Sequence, residues 1–178
     1  RALGMPKATF RINSTYREGK EGKHSCGPYG FDKIEFLISP NEGEPLKPLR
    51  DIASGGEISR IMLALKTVFS RTDRIHSLIF DEIDSGIGGE VAVAVGEHLA
   101  ELGKNKQVLC ITHLASIAVR ADNHIRVEKK EGGGRTYTDL RVIDEKERVT
   151  EIARMLSGDT DSSSSLSHAQ ELLERYGR

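Results

Sequence analysis

Eight residues at positions 53–60, Ala-Ser-Gly-Gly-Glu-Ile-Ser-Arg, constrain this 178-residue chain more than any other stretch. The adjacent glycines let a backbone come close to a ligand and take up dihedrals closed to other residues. Ser54 precedes Glu57 at the capping-box spacing that opens a helix. Ile58, Ile61, Met62, Leu65, Val68 and Phe69 then recur on one helical face. A Ser-Gly-Gly turn therefore feeds a helix whose free N–H groups and positive dipole end suit an anion. Taken alone, the octapeptide fits an ordinary capped helix after a glycine turn equally well.

Composition narrows the classes. The length suits one domain with a real core, and 37% hydrophobic with 30% charged residues suits a soluble globular protein. A net charge of −1 gives no global attraction to nucleic acid or to a membrane surface, so any DNA contact must be local or lie in another part. No apolar run approaches a membrane span, and no signal peptide is expected. Cys26 and Cys110 are far apart, and the six histidines show no ligand pairing, so two reduced thiols in a cytoplasmic protein are expected. The opening Arg1-Ala2-Leu3-Gly4-Met5-Pro6 has no initiator methionine and reads as the start of a fragment.

Alternation predicts strands at 9–16 (Phe10, Ile12 and Ser14 on one side) and 31–39 (Ile34, Phe36 and Ile38), with a polar, Gly-rich loop at 17–30 between them. Gly22-Lys23 in that loop is not a phosphate loop: position 17 is Arg where the motif needs Gly, and no strand leads in. Residues 40–48 form a turn-rich connector. Residues 76–82, His-Ser-Leu-Ile-Phe-Asp-Glu, read as a buried parallel strand ending in two carboxylates. A Gly-rich loop at 83–89 follows, then a helix with Val91, Val95, Leu99 and Leu102 on one face. Another buried strand at 108–112 ends at His113, and a short helix occupies 114–120. Strand–helix–strand order argues an α/β chain with a parallel sheet. Ile125 and Val127, a turn at Gly132-Gly133-Gly134, then Tyr137, Leu140 and Val142 give a hairpin. Val149, Ile152, Ala153 and Leu156 mark a helix stopped by Gly158; serines 162–165 read as a linker before a last helix with Leu166, Ala169, Leu172 and Leu173.

An apolar strand ending in Asp-Glu has the form of a Walker B motif, in which Asp81 would hold Mg²⁺ and Glu82 would polarise an attacking water. A histidine at the end of the neighbouring strand, His113, could reach a γ-phosphate or that water. Each feature alone is common; the order Ser-Gly-Gly-Glu, Asp-Glu strand, Gly-rich loop, Thr-His strand is specific.

That order resembles the C-terminal lobe of an ABC-type ATPase head. The resemblance matches Ser54, Gly55, Gly56 and Glu57 to the signature motif, Asp81 and Glu82 to Walker B, and His113 to the switch histidine. Asp-Glu-Ile-Asp at 81–84 is similar to the SMC branch, and the stretches 3–8, 53–66, 80–89 and 151–158 resemble the RecN family of bacterial DNA-repair proteins over essentially the whole chain. The implied fold is a mainly parallel sheet flanked by helices, with a β-hairpin and C-terminal helices. Residues 1–50 would be strands and connector after a coiled coil, 51–121 the signature, Walker B and switch-histidine core, and 122–178 the hairpin and last helices. Asp84, Ser85, Gly86 and Gly88 form the D-loop region, with Gly88 where SMC heads carry Asp. The resemblance implies ATP and Mg²⁺ as cofactors. It also implies an N-terminal lobe of the same head bearing Walker A, a second head as an ATP-dependent homodimer, DNA as partner of the full-length protein, no membrane, and a cytoplasmic, nucleoid-associated location. ATP would be sandwiched between heads, gripped by one Walker A and the opposing Ser54, Gly55 and Gly56; without Walker A and Q-loop this chain alone should not hydrolyse ATP. Two rivals remain: a MutS-like mismatch-repair ATPase, which lacks the Ser-Gly-Gly-Glu helix upstream, and a non-catalytic dimerisation lobe.

Overall fold

The computed structural model describes residues 3–19, 23–52, 54–132, 134–158 and 162–177. Gly22, Ala53 and Gly133, each part of a motif considered above, lie outside the described residues. The order is β1 (Thr9–Tyr16), β2 (Asp32–Ser39), β3 (Lys47–Pro48), a 3₁₀ turn (Leu49–Asp51), α1 (Gly55–Val68), β4 (Ser77–Phe80), α2 (Gly89–Gly103), β5 (Gln107–Cys110), α3 (Ala115–Ala118), β6 (Ile125–Gly132), β7 (Arg135–Val142), α4 (Glu145–Ser157) and α5 (Ser163–Tyr176).

Among the described residues, three small sheets result. β2 pairs antiparallel with both β1 and β3, β4 pairs parallel with β5, and β6 pairs antiparallel with β7. Parallel pairing is thus confined, among the described residues, to β4 and β5. The strand–helix–strand crossover through α2 occurs once, and the other strands meet through reversing loops, which give antiparallel neighbours. The described residues of the 17–30 segment, expected as a loop, fold back on one another: Arg17 N–H donates to Phe31 O at 3.0 Å, and bridges join Glu18 to His24 and Gly27 to Gly30. The turn between β6 and β7 falls where the glycines predicted it, with Gly134 at φ 74°.

The main core lies between α1, α2 and the inner face of β4–β5, where Leu63, Leu78, Phe80, Ile83, Val95 and Leu99 pack together. A second cluster joins α3, α4 and α5 through Val119, Ile152, Ala153 and Ala169. Asp144 and Glu147 form a complete capping box at the start of α4, and Gly158 ends it at φ 75°. Two charged residues share its buried stripe. Arg148 donates to Val119 O at 3.0 Å, and Glu151 accepts from Arg154 at 2.6 Å. Burial raises the Glu151 pKa, but hydrogen bonding and charge from Arg154, with Arg126 behind it, outweigh that and hold it below the usual carboxylate range.

Three expectations are corrected. The buried residues of α1 are Gly56, Arg60, Ile61 and Leu63, so the predicted apolar face is buried at Ile61 but not at its end, where Val68 is 77% exposed. Small and charged residues face the turn after β4 there, a demand that hydrophobic periodicity does not register. Serines 163–165 are the first turn of α5 rather than a linker, with Ser162 at the N-cap position; serine suits helix starts better than helix interiors. The strands predicted as buried are covered on one face only: Ile79 is 72% and Ile111 60% exposed. The apolar sides of β1–β2 (Ile12, Ile34) and β6–β7 (Val127, Leu140) are open as well.

The total accessible surface of 12233 Å² follows from this. A compact protein of this mass would expose ~8,600 Å². Among the described residues, no helix is long and apolar enough to cross a membrane.

The packing sets a contrast in stability. Leu63→Ala removes a fully buried side chain and should cost ~2–5 kcal/mol. Ile79→Thr, on the open face, should stay within ~0.5 kcal/mol. Urea unfolding of both variants measures this; equal losses would mean that the outer face of β4–β5 is covered in solution.

Candidate functional site

The predicted site residues converge where the start of α1 meets the turn after β4. Ser54 is the N-cap of α1, and its hydroxyl accepts from the Glu57 N–H at 3.4 Å. One turn further on, the Ser59 hydroxyl donates to Asp81 O at 2.8 Å. The buried Arg60 guanidinium donates from Nη1 to Ser85 O at 2.9 Å and to Ile83 O at 3.3 Å. Burial lowers the Arg60 pKa, against an opposing pull from Glu57, yet a guanidinium remains charged under any working condition. Its positive charge therefore sits beneath residues 83–85.

The turn itself is strained. Glu82 is the one non-glycine among the described residues with positive φ, at 56°. That conformation lays the exposed Glu82 side chain against the start of α1, where a Cβ on Gly55 would collide with its carboxylate. Gly56 is tighter still. A Cβ there would stand 3.0 Å from Glu82 O, from Ser85 Cβ and from Arg60 Nη1. Asp81 accepts from the Glu82 N–H at 2.9 Å through Oδ1.

Asp84 points the other way, into the protein, and is 4% exposed. Its Oδ2 accepts from the Thr112 hydroxyl at 2.6 Å and from the His113 N–H at 2.8 Å, and lies 2.9 Å from His113 Nδ1. Thr112 Oγ1 in turn accepts from Leu114 N–H at 3.0 Å, starting the short α3. The His113 ring is otherwise open to solvent, its side chain 75% exposed. Beside it, burial first and then the charges of Asp84 and Asp81 push the Cys110 thiol up to about 12, so it stays protonated and unreactive.

Ser54, Gly55, Gly56, Glu57, Asp81, Glu82, Ser85 and His113 thus belong to one connected region, with the buried Asp84 beneath it. Gly86, at φ 71°, and Gly88, which precedes α2, have open space around them and shape the loop without touching the rest. Sequence reasoning gave no role to Ser59, Arg60 or Thr112. A signal existed for Arg60: it stands one turn from Gly56 in a segment that periodicity already made helical.

Among the described residues, no group of three His, Cys, Asp or Glu side chains could hold a metal alone. Asp81 nevertheless fits Mg²⁺, which needs only one or two carboxylates when phosphates and water complete its octahedron. The glycine-led start of α1 likewise fits a phosphate.

The two glycines should respond differently to alanine. Gly55→Ala meets only the end of a flexible side chain, so the fold should keep its melting temperature while Glu82 is turned out of place. Gly56→Ala presses on backbone and should cost ~1–3 kcal/mol. Thermal melts of both variants check this, and equal losses would contradict the packing described.

No protein-family model matches the chain. The DNA repair protein RecN of Treponema pallidum is 56% identical over 176 residues, 99% of this chain and 31% of the relative. That of Halalkalibacterium halodurans is 48% identical, covering 98% of the chain and 30% of the relative. The chain therefore spans under a third of the length of these relatives. Among solved structures, the Smc head domain with a coiled coil and joint from Pyrococcus yayanosii superposes with a TM-score of 0.55 at 20% identity, over 98% of this chain and 27% of that one. At that identity the likeness speaks for the fold alone, and the fold is that of an SMC head. Sequence and architecture agree: over nearly its whole length the chain matches a segment of RecN proteins, and it folds as part of an SMC head does.

Proposed function

We propose that this chain is the C-terminal half of a head that binds and hydrolyses ATP between two heads, in bacterial DNA double-strand break repair and recombination. The observation that carries the reading is the seating of the Ser54, Gly55 and Gly56 helix start on the turn bearing Asp81 and Glu82. Ser54 and the two glycines offer a hydroxyl and backbone N–H groups to a phosphate held by the opposing head. Asp81 holds Mg²⁺, and Glu82 orients the attacking water. Mg²⁺, when bound with ATP, neutralises charge on the phosphates. His113 lies three residues beyond the end of the β5 ladder and faces solvent on the same edge.

The open outer face of β4–β5, with Ile79, Leu109 and Ile111, supports a cover supplied by the N-terminal lobe that carries Walker A. Parallel sheets in α/β proteins have both faces covered. DNA engages the full-length protein rather than this lobe, whose formal charge is −1. The setting that follows is the cytoplasm, at the nucleoid.

In the full-length protein, Glu82→Gln should lower turnover by ~10²–10⁴ while leaving Mg-ATP binding intact. Head dimers should then accumulate with ATP, as size exclusion would report. Near-normal turnover would remove Glu82 from the reaction.

The 178-residue chain by itself should show no turnover and weaker than micromolar Mg-ATP affinity. Calorimetric titration checks this; micromolar binding would mean that its nucleotide site is complete without another lobe.

A further inference from the structure

We propose that Asp84 is a positioning residue that holds His113 as its Nδ1–H tautomer, leaving Nε2 as a hydrogen-bond acceptor for the attacking water. The inference rests on the reading of this edge as an ATP-hydrolysing site and deepens it.

The argument begins with Oδ2 of Asp84. This one oxygen receives the Thr112 hydroxyl, the His113 backbone N–H and the His113 Nδ1 edge, at 2.6, 2.8 and 2.9 Å. An ionised carboxylate only accepts hydrogen bonds. A bare Nδ1 at 2.9 Å would set two lone pairs against each other, so the proton belongs between them. The carboxylate is 4% exposed and held by two further donors, so it cannot turn away to suit the other tautomer. Its backbone is anchored in turn, since Arg60 grips the carbonyls of Ile83 and Ser85 on either side.

With the proton on Nδ1, the ring presents a lone pair at Nε2 on its open side. That atom accepts from a water O–H and cannot donate to a phosphate oxygen while the ring is neutral. His113 would then share the orientation of water with Glu82. The logic is that of a buried aspartate fixing a histidine tautomer in acyl-transfer enzymes, where the wrong tautomer costs rate without disturbing geometry. Gly88, in place of the SMC D-loop carboxylate, adds no competing acceptor.

The tautomer can be read without any turnover. Long-range ¹H–¹⁵N spectra of the chain with ¹⁵N-histidine, at a pH where the ring is neutral and assigned by loss of the signal in His113→Gln, should show Nδ1–H in the wild type. Asp84→Ala should move His113 to the Nε2–H form that an unconstrained histidine side chain favours; Thr112→Val should leave the tautomer unchanged. A wild-type Nε2–H signal overturns the proposal even if Asp84→Ala fails to fold, and leaves the Glu82→Gln test of the site untouched. In the full-length protein, Asp84→Ala should lower kcat roughly tenfold or more with KM for Mg-ATP unchanged. A shifted tautomer with normal kcat would equally overturn the proposal, because the positioning would then serve no step.

Discussion

The site depends on a contact that admits no side chain. Gly56 lets α1 settle against the 82–85 turn at a distance where a single methyl would meet three atoms at 3.0 Å. One turn along the helix, Arg60 fills the space below and gives up water for the carbonyls of Ile83 and Ser85. Burying a guanidinium is costly without such acceptors, so helix and turn hold each other or neither is stable. With the turn fixed, Asp84 enters the interior and gathers the end of β5. The position of His113 is therefore set by a glycine 57 residues earlier in the chain, through two intermediates.

The same arrangement explains what was legible beforehand. The capped helix start, the Asp-Glu strand end, the hairpin and the Gly158 stop follow from local chemistry, and the structure has them at those positions. The roles of Arg60 and Asp84 are not local. Their partners are carbonyls and donors brought close only by folding, and a carboxylate that accepts hydrogen bonds inward has the same sequence signature as one facing a metal. Burial of the strands was misjudged for a different reason. An apolar run such as Leu78-Ile79-Phe80 states that both faces are to be covered, but not whether the cover lies in the same stretch of chain. The serines at 163–165 show the limit of composition: polar residues that suit a linker also suit a helix's first turn.

Charge in the second cluster follows a similar rule. Arg148 and Glu151 occupy the stripe of α4 that periodicity assigns to apolar residues, yet both find partners: Arg148 Nη2 donates to the carbonyls of Val119 and Ala121, leaving its Nε unpaired, and Glu151 accepts from Arg154. These bonds tie the end of α3 to α4. His124, close enough to Arg148 and Glu151 to feel both charges, has its pKa lowered by burial first and by the Arg148 charge second, against an opposing pull from Glu151.

The open faces of the three sheets also govern how the molecule comes apart. Cooperativity in unfolding scales with the surface newly exposed, which sets both the denaturant slope and the heat-capacity change. A chain that already shows 12233 Å² when folded has less left to reveal than its length suggests. Its transition should accordingly be broad and shallow. Any partner that covers Ile79, Leu109 and Ile111 sharpens that transition by enlarging the unit that melts together.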